Sequence, residues 1–291
     1  LGALRFLDPA CGCGNFLVIS YRELRLLEIE ILKLLHKGQM ELNIDGLSQI
    51  DVDAFYGIEI SEWPARIEEV AMWLMDHQMN QQLSEAFGQY FARLPLRKSP
   101  HIVCDNALRL DWEKVLPSAQ SSYVLGNPPF IGAKFQKDEQ RPDKHLVAGD
   151  IENSGLLDYV TGWYFKAAEY IRDTRIVVGY VSTNSVSQGE QVGVLWKPLF
   201  QKYDLSIHFA HRTFTWESEA KGKAHVHVVI IGFGAFETEN KRIYDYEGGN
   251  VTVIKAKNIS PYLVEGSNTT VTNRSKPICD VPEMGIGNKP I

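Results

Sequence analysis

The chain has 291 residues, 44% hydrophobic and 23% charged, enough to bury a real core as one large α/β domain or two smaller ones. A net charge of −6 argues against a protein that coats nucleic acid without selectivity, because such affinity comes from neutralising many phosphates, but it is compatible with a local basic face. No apolar run is long enough to span a bilayer and no signal-peptide pattern is present, so a soluble cytoplasmic protein is expected.

In chain order, "LRFLD" (4–8) reads as a short buried strand, and a dense apolar pattern from Phe16 to Leu35 reads as a long helix ended by Gly38. "AFYGIEI" (54–60) is the second strand, followed by Ser61 as a helix cap with Pro64 tolerated in the first turn. "HIVCD" (101–105) and "SYVLGN" (122–127) are the third and fourth strands, "GWYFKAAEYI" (162–171) has helical spacing, and "RIVVGYVST" (175–183) is the fifth strand. "LSIHFAH" (205–211) and "HVHVVIIGFGAF" (225–236) are two more. The expected fold is therefore α/β, with a mostly parallel sheet and helices on both faces. Beyond about residue 237 the sequence turns polar and rich in Gly and Asn, which divides the chain into a main domain over 1–255 and, over 256–291, a linker or the start of a target-recognition region. Leu1 stands only seven positions before Asp8, inside the opening strand, so a piece of a longer protein is expected.

Four stretches carry chemistry, and each falls at the carboxyl end of a strand, where open α/β sheets bind ligands. In "DPACGCGNF" (8–16) the glycines allow a tight turn and the helix after it offers unpaired amides, but the third glycine of a dinucleotide fingerprint is absent. Asp8 beside the loop disfavours a pyrophosphate and suits a cationic ligand, one with an amino group or a sulfonium. Cys11 and Cys13 would make a metal pair only if two further ligands converged, with Cys104 the sole obvious third; small residues in a tight turn is the simpler reading. Glu59 is suited to accept from a ribose diol, or is a solvated strand-end charge, and Asp105 could accept from an adenine amino group or act as a turn residue.

In "VLGNPPFIG" (124–132) two prolines stiffen the backbone. The Asn127 side-chain oxygen and the Pro128 carbonyl can accept both N–H bonds of a planar aromatic amine while Phe130 stacks on its ring. Downstream, Lys134, Lys137, Arg141 and Lys144 read as a loop touching phosphates or as a solvated charged surface. Arg212, Lys221 and Lys223 form a weaker second candidate. The histidines 208, 211, 225 and 227 lack suitably spaced acids, and no metal is expected there.

Together these residues resemble the class I S-adenosylmethionine-dependent DNA methyltransferases of the N6-adenine type, and the resemblance implies a mostly parallel seven-stranded Rossmann-like α/β sheet with a reversed late strand. Asp8 to Phe16 resembles the methionine-pocket motif DPACGSGxF, with Cys13 in place of the common serine, and Asn127, Pro128, Pro129 and Phe130 match the catalytic (D/N/S)PP(Y/F) motif. The resemblance implies a cofactor site of Asp8, Pro9, Ala10, Gly12, Gly14, Asn15, Phe16, Glu59, Ile60, Asp105, Asn106, Ala107 and Asn127. It extends to the MmeI-like group, through "VSTNSVSQGEQVGVLW" and "FAHRTFTWESEAKGKAHVHVVIIGF". That group joins modification and restriction in one polypeptide, so S-adenosylmethionine as cofactor, double-stranded DNA as partner, a flipped-out adenine as substrate, and nuclease and target-recognition domains on the same chain are all implied. Methylation of RNA or of protein glutamine, or a non-catalytic DNA-binding module, are the competing expectations. A helix that in such enzymes precedes the first motif is missing from the sequence.

Overall fold

A computed structural model describes residues 1–36, 48–88, 98–216, 226–247, 250–271 and 279–280. Its centre is one nine-stranded sheet in the order β3-β2-β1-β4-β5-β7-β6-β8-β9. The strands are β1 (Phe6–Asp8), β2 (Phe55–Glu59), β3 (His101–Cys104), β4 (Tyr123–Gly126), β5 (Val177–Thr183), β6 (Ser206–Trp216), β7 (Val226–Gly234), β8 (Lys241–Glu247) and β9 (Asn250–Ala256). The first five pair in parallel, and β7 lies antiparallel between β5 and β6, which is the reversed late strand.

Two strands exceed the expected seven: β8 pairs in parallel with β6, and β9 returns beside it as a hairpin. Their sequence gave little warning because β9 is exposed along nearly its whole length, so no buried alternation marks it. The expected helix stop at Gly38 lies outside the described residues.

Side-chain alternation assigns the faces, since neighbours on a strand point to opposite sides. Phe6 and Phe55 turn toward α1 (Asn15–Leu35) and α2 (Glu62–Phe87), where they meet Leu17, Tyr21, Met72 and Met79. Leu7, Ile58 and Val124 turn the other way, into the larger core with α4 (Thr161–Tyr170) and α5 (Gln191–Tyr203). The short α3 (Gln140–Ala148) packs beside α4. Ser61 holds the N-cap position of α2 but its side chain makes no capping bond; the helix ends at Gly88 in the left-handed conformation (φ 65°), where glycine carries no Cβ penalty.

α1 and α2 are joined by a buried polar cluster. Arg25, fully buried, reaches Glu28 at 3.2 Å, Asp76 at 3.3 Å and the Asn80 side-chain oxygen at 2.9 Å. The Tyr21 hydroxyl donates to Asp76 at 2.6 Å, and Glu28 accepts from the backbone of Gln49 and Ile50. One guanidinium thus fixes two helices and the approach to β2. Arg25→Ala leaves two buried carboxylates uncompensated and is expected to cost about 3–5 kcal/mol. Urea unfolding checks this, and a loss under about 1 kcal/mol would contradict the role given to Arg25.

Candidate active site

β1 and β4 are neighbours, but the chain leaves β1 toward β2 and β3 and returns to β4 on the other side. The loops after β1 and β4 therefore diverge and open a crevice at the strand ends. A cavity of about 740 Å³ fills it, lined by Pro9, Ala10, Glu59, Ile60, Asp105, Asn106, Ala107, Asn127 and Pro129. Four stretches far apart in sequence meet there. Arg109, Glu139, Gln140, Asp143, Tyr159 and Trp163 complete the wall.

The loop after β1 is built by its own bonds. Asp8 Oδ1 accepts from the Ala10 amide at 2.9 Å, and the Gly14 amide donates to the Cys11 carbonyl at 2.8 Å. Gly12 (φ 58°) and Gly14 (φ 84°) are both left-handed, a region that penalises a Cβ. Glu59 ties this loop to α2, since Oε2 accepts from the Gly12 amide at 3.1 Å and Oε1 from the Ser61 amide at 2.9 Å. A carboxylate has about four acceptor positions, so two such bonds leave room for a diol. Asn15 and Phe16 begin α1, outside the cavity wall.

Asp8 differs from the picture of a charge beside the loop. It is buried at 1% exposure, tucked beneath Gly126 so closely that a Cβ there would stand 2.6 Å from Oδ1. Burial holds its carboxyl well above the usual range, with the charges of Glu68 and Glu59 adding and the Ala10 bond opposing. Its Oδ2 has no hydrogen-bond partner among the described residues. A cation arriving at the loop would meet an acid ready to ionise.

Asp105 lies at the end of β3, exposed, accepting from the Asn106 amide at 2.6 Å. Asn106 then donates to Asp143 Oδ2 at 2.6 Å, and Arg109 Nε to Oδ1 at 2.6 Å. Asp143 is buried, the Tyr159 hydroxyl stands 3.5 Å from it, and burial with that neighbouring carboxylate pushes the Tyr159 phenol up to about 12. The Trp163 indole donates to the Pro9 carbonyl at 2.9 Å and packs edge-on against Tyr159. Asn127 and Pro129 are exposed at the cavity, Pro128 is buried, and Phe130 is half-buried against the larger core.

The basic residues after the motif separate. Lys134, Lys137 and Arg141 are exposed. Lys144 is corrected from a surface contact to a strut: it is buried, burial lowers its ammonium, and Nζ donates to the Leu157 carbonyl at 2.6 Å. Arg212 pairs with Asp245 at 2.5 Å and does not line the cavity, while Lys221, Lys223 and His225 lie outside the described residues. His208 bonds to the Phe236 carbonyl and His211 to the Tyr246 hydroxyl.

The residues missed in the sequence are Asp143, Arg109, Tyr159 and Trp163. Pro142 in the first turn of α3 was the available signal that "EQRPDKH" is a helix, with Asp143 one position on.

A parallel sheet with a reversed strand and one crevice joining an acid-rich glycine loop to an Asn-Pro-Pro-Phe turn defines the methyltransferase class of α/β fold. The model of the MmeI DNA-methyltransferase domain matches residues 1–245. The chain belongs to that family. It is 42% identical to DNA methyltransferase A of Bacillus subtilis (strain 168), over 100% of this chain and 33% of the relative. It is similar to the structure of the Type IIL restriction-modification enzyme MmeI in complex with DNA, with 52% identity and a TM-score of 0.92 over 97% of this chain and 38% of that one. A modification subunit of a putative type I restriction enzyme from Vibrio vulnificus YJ016 shares the fold at 16% identity and a TM-score of 0.50, over 91% of this chain and 46% of that one. The chain thus spans between a third and two-fifths of the length of the first two of these relatives.

Asp143→Ala removes the acceptor shared by Asn106, Arg109 and Tyr159. Charge-assisted bonds of about 1.5–3 kcal/mol are lost, so local opening of α3 should rise roughly ten- to a hundredfold. Amide hydrogen exchange over 139–148 measures it; protection equal to wild type would show that the latch is not held there.

Proposed function

We propose that this chain is the catalytic domain, over about residues 1–255, of a DNA methyltransferase that moves a methyl group from S-adenosylmethionine to the N6 of a flipped-out adenine. The observation that carries the reading is the meeting of Glu59, Asp105 and Asn127 in one cavity at the strand ends. S-adenosylmethionine supplies an activated methyl group on a positively charged sulfur. The cavity fits such a molecule on its own terms: Pro9 and Ala10 line it directly after Asp8, a buried acid whose Oδ2 is unpartnered among the described residues, and a polar cluster around Asp143 lines the other end.

Asp8 and the loop from Pro9 to Gly14 would hold the methionine end. Glu59 and Ile60 would hold the ribose, and Asp105, Asn106 and Ala107 the adenine. The Asn127 side-chain oxygen and the Pro128 carbonyl would accept the two N–H bonds of the target amine. That pairing localises a lone pair otherwise spread into the ring, so nucleophilicity comes from positioning. Phe130 would stack on the extruded base, which a duplex must release before any group can reach N6.

Lys134, Lys137 and Arg141, with the exposed Phe135 ring between them, are the phosphate-facing edge in this reading. The structure of the MmeI relative is a complex with DNA, which supports that partner. Nuclease and target-recognition parts on the same polypeptide, in a restriction-modification enzyme read here as cytoplasmic, belong to the same proposal; the chain spans 33% and 38% of the two relatives' lengths.

The test is transfer of radiolabelled methyl from S-adenosylmethionine to unmethylated DNA by the full-length protein, with nucleoside analysis of the product. N6-methyladenine is expected. Asn127→Ala should lower kcat by about 10²–10³. Label on cytosine, RNA or protein, or normal turnover by Asn127→Ala, would overturn the reading.

A further inference from the structure

Beneath the cofactor loop, on the side away from the cavity, lies an acid that the proposed transfer does not use. Glu68 projects from the second turn of α2 and is fully buried. Neither carboxyl oxygen meets an N–H or O–H donor among the described residues. Against them lies the Cys11 thiol, itself buried and pushed upward by that burial and by the Glu68 carboxyl.

Two glycines show how closely the loop rests on this side chain. A Cβ on Gly14 would stand 2.5 Å from Glu68 Cγ, and a Cβ on Gly57 would meet Cys11 Sγ at 2.7 Å and Glu68 Oε1 at 3.2 Å. The loop therefore has its shape because Gly14 sits directly on Glu68 and Cys11 fills the gap between Glu68 and β2. No simple packing role explains the residue type, since an apolar side chain would fill the same space without desolvating a carboxyl.

We propose that Glu68 is a positioning residue of this site, bracing the loop through Gly14 and Cys11 and turning from carboxylic acid to carboxylate when a cationic ligand arrives. The proposal rests on reading the cavity as an S-adenosylmethionine site. The groups facing Glu68 are Asp8 from β1, Cys11 from the loop, Glu59 from β2 and Glu69 from its own helix. Among them are three further acids and no cation, so no neighbouring charge favours the carboxylate in the free protein. Burial, with Glu59 and Glu69 adding and the thiol opposing, raises the Glu68 carboxyl from the ordinary 4.5 to about 7. A sulfonium favours the carboxylate, and the proton passes to solvent. Each unit by which the ligand lowers the acid's titration is a tenfold gain in affinity between the protonated and ionised limits.

The folded state favours neutral Glu68, so its contribution to stability is complete below pH 4.5 and is lost as pH rises through about 7. Glu68→Gln keeps the shape and cannot ionise, so it should melt above wild type at pH 8 and alongside it at pH 5. That melting pattern shows that the variant folds.

The deciding experiment is calorimetric binding of S-adenosylmethionine to the full-length protein in buffers of different ionisation enthalpy, from pH 5.5 to 8.5. The neutral thioether S-adenosylhomocysteine serves as the comparison. Wild type should release more protons with the sulfonium than Glu68→Gln does, and its affinity should rise about tenfold more across the range. The ligand's own amino group titrates equally in both proteins and cancels. The difference should shrink with the thioether. Equal proton release and equal affinity profiles in the two proteins would overturn the role of Glu68 while leaving the cofactor reading intact. Absence of binding of either ligand to wild type would overturn that reading, and the proposal with it.

Discussion

The site depends on two strands lying side by side while their chains depart in opposite directions. β1 and β4 are paired in register over Phe6–Tyr123 and Leu7–Val124, and the glycine loop after one and the Asn-Pro-Pro-Phe turn after the other have to part around a gap. Backbone pairing thus fixes the spacing between the two functional loops before any side chain contributes. The close seat of Asp8 under Gly126 is the visible sign of how tightly that spacing is set. A wider residue at 126 would displace an acid that also shapes the loop at Ala10.

Around that gap the protein tolerates an electrostatic arrangement that would be unfavourable elsewhere. Asp8, Glu59 and Glu68 converge on one short loop, and Asp8 and Glu68 are buried. Glu59 alone is rewarded by two backbone amides. Unsatisfied acids in a low-dielectric setting are costly to ionise, and their charge becomes useful only when a cation enters. The opposite end of the cavity is neutralised locally, where Asp143 gathers Asn106, Arg109 and Tyr159. The two ends are therefore chemically unlike, which gives a long polar ligand one orientation.

Helix α3, which helps line the cavity, follows the Asn-Pro-Pro-Phe turn after residues 131–139. Backbone and side-chain bonds stitch the segment from the turn into α3 down: Tyr159 N to the Ile131 carbonyl, Ala133 N to Asp158 Oδ1, and Gln136 and Lys144 both to the Leu157 carbonyl. Asp158 is fixed in turn by Ser185 Oγ at 2.6 Å. One short stretch, 157–159, thereby holds the segment between the Asn-Pro-Pro-Phe turn and the cavity wall at Asp143.

Much of this was legible in the sequence because buried parallel strands read as continuous hydrophobic runs, and an acid or Asn at the end of such a run has one place to be. Glu59, Asp105 and Asn127 were singled out that way, and the structure brings them to one cavity, while Asp8 lies buried behind its loop. Asp143 and Glu68 were not singled out, because each sits in a charged stretch whose local pattern is that of a solvated surface; only tertiary neighbours 34 to 57 residues away bury them. Lys144 was misread for the same reason. The β8–β9 hairpin escaped because its outer strand buries almost nothing. The proposed function requires cofactor, target base and the Asn-Pro-Pro-Phe turn to meet in a single cavity, so the most direct test is a crystal structure of the full-length protein with S-adenosylhomocysteine. Density running between Glu59, Asp105 and Asn127 is the predicted result; an empty crevice with the ligand bound elsewhere would contradict it.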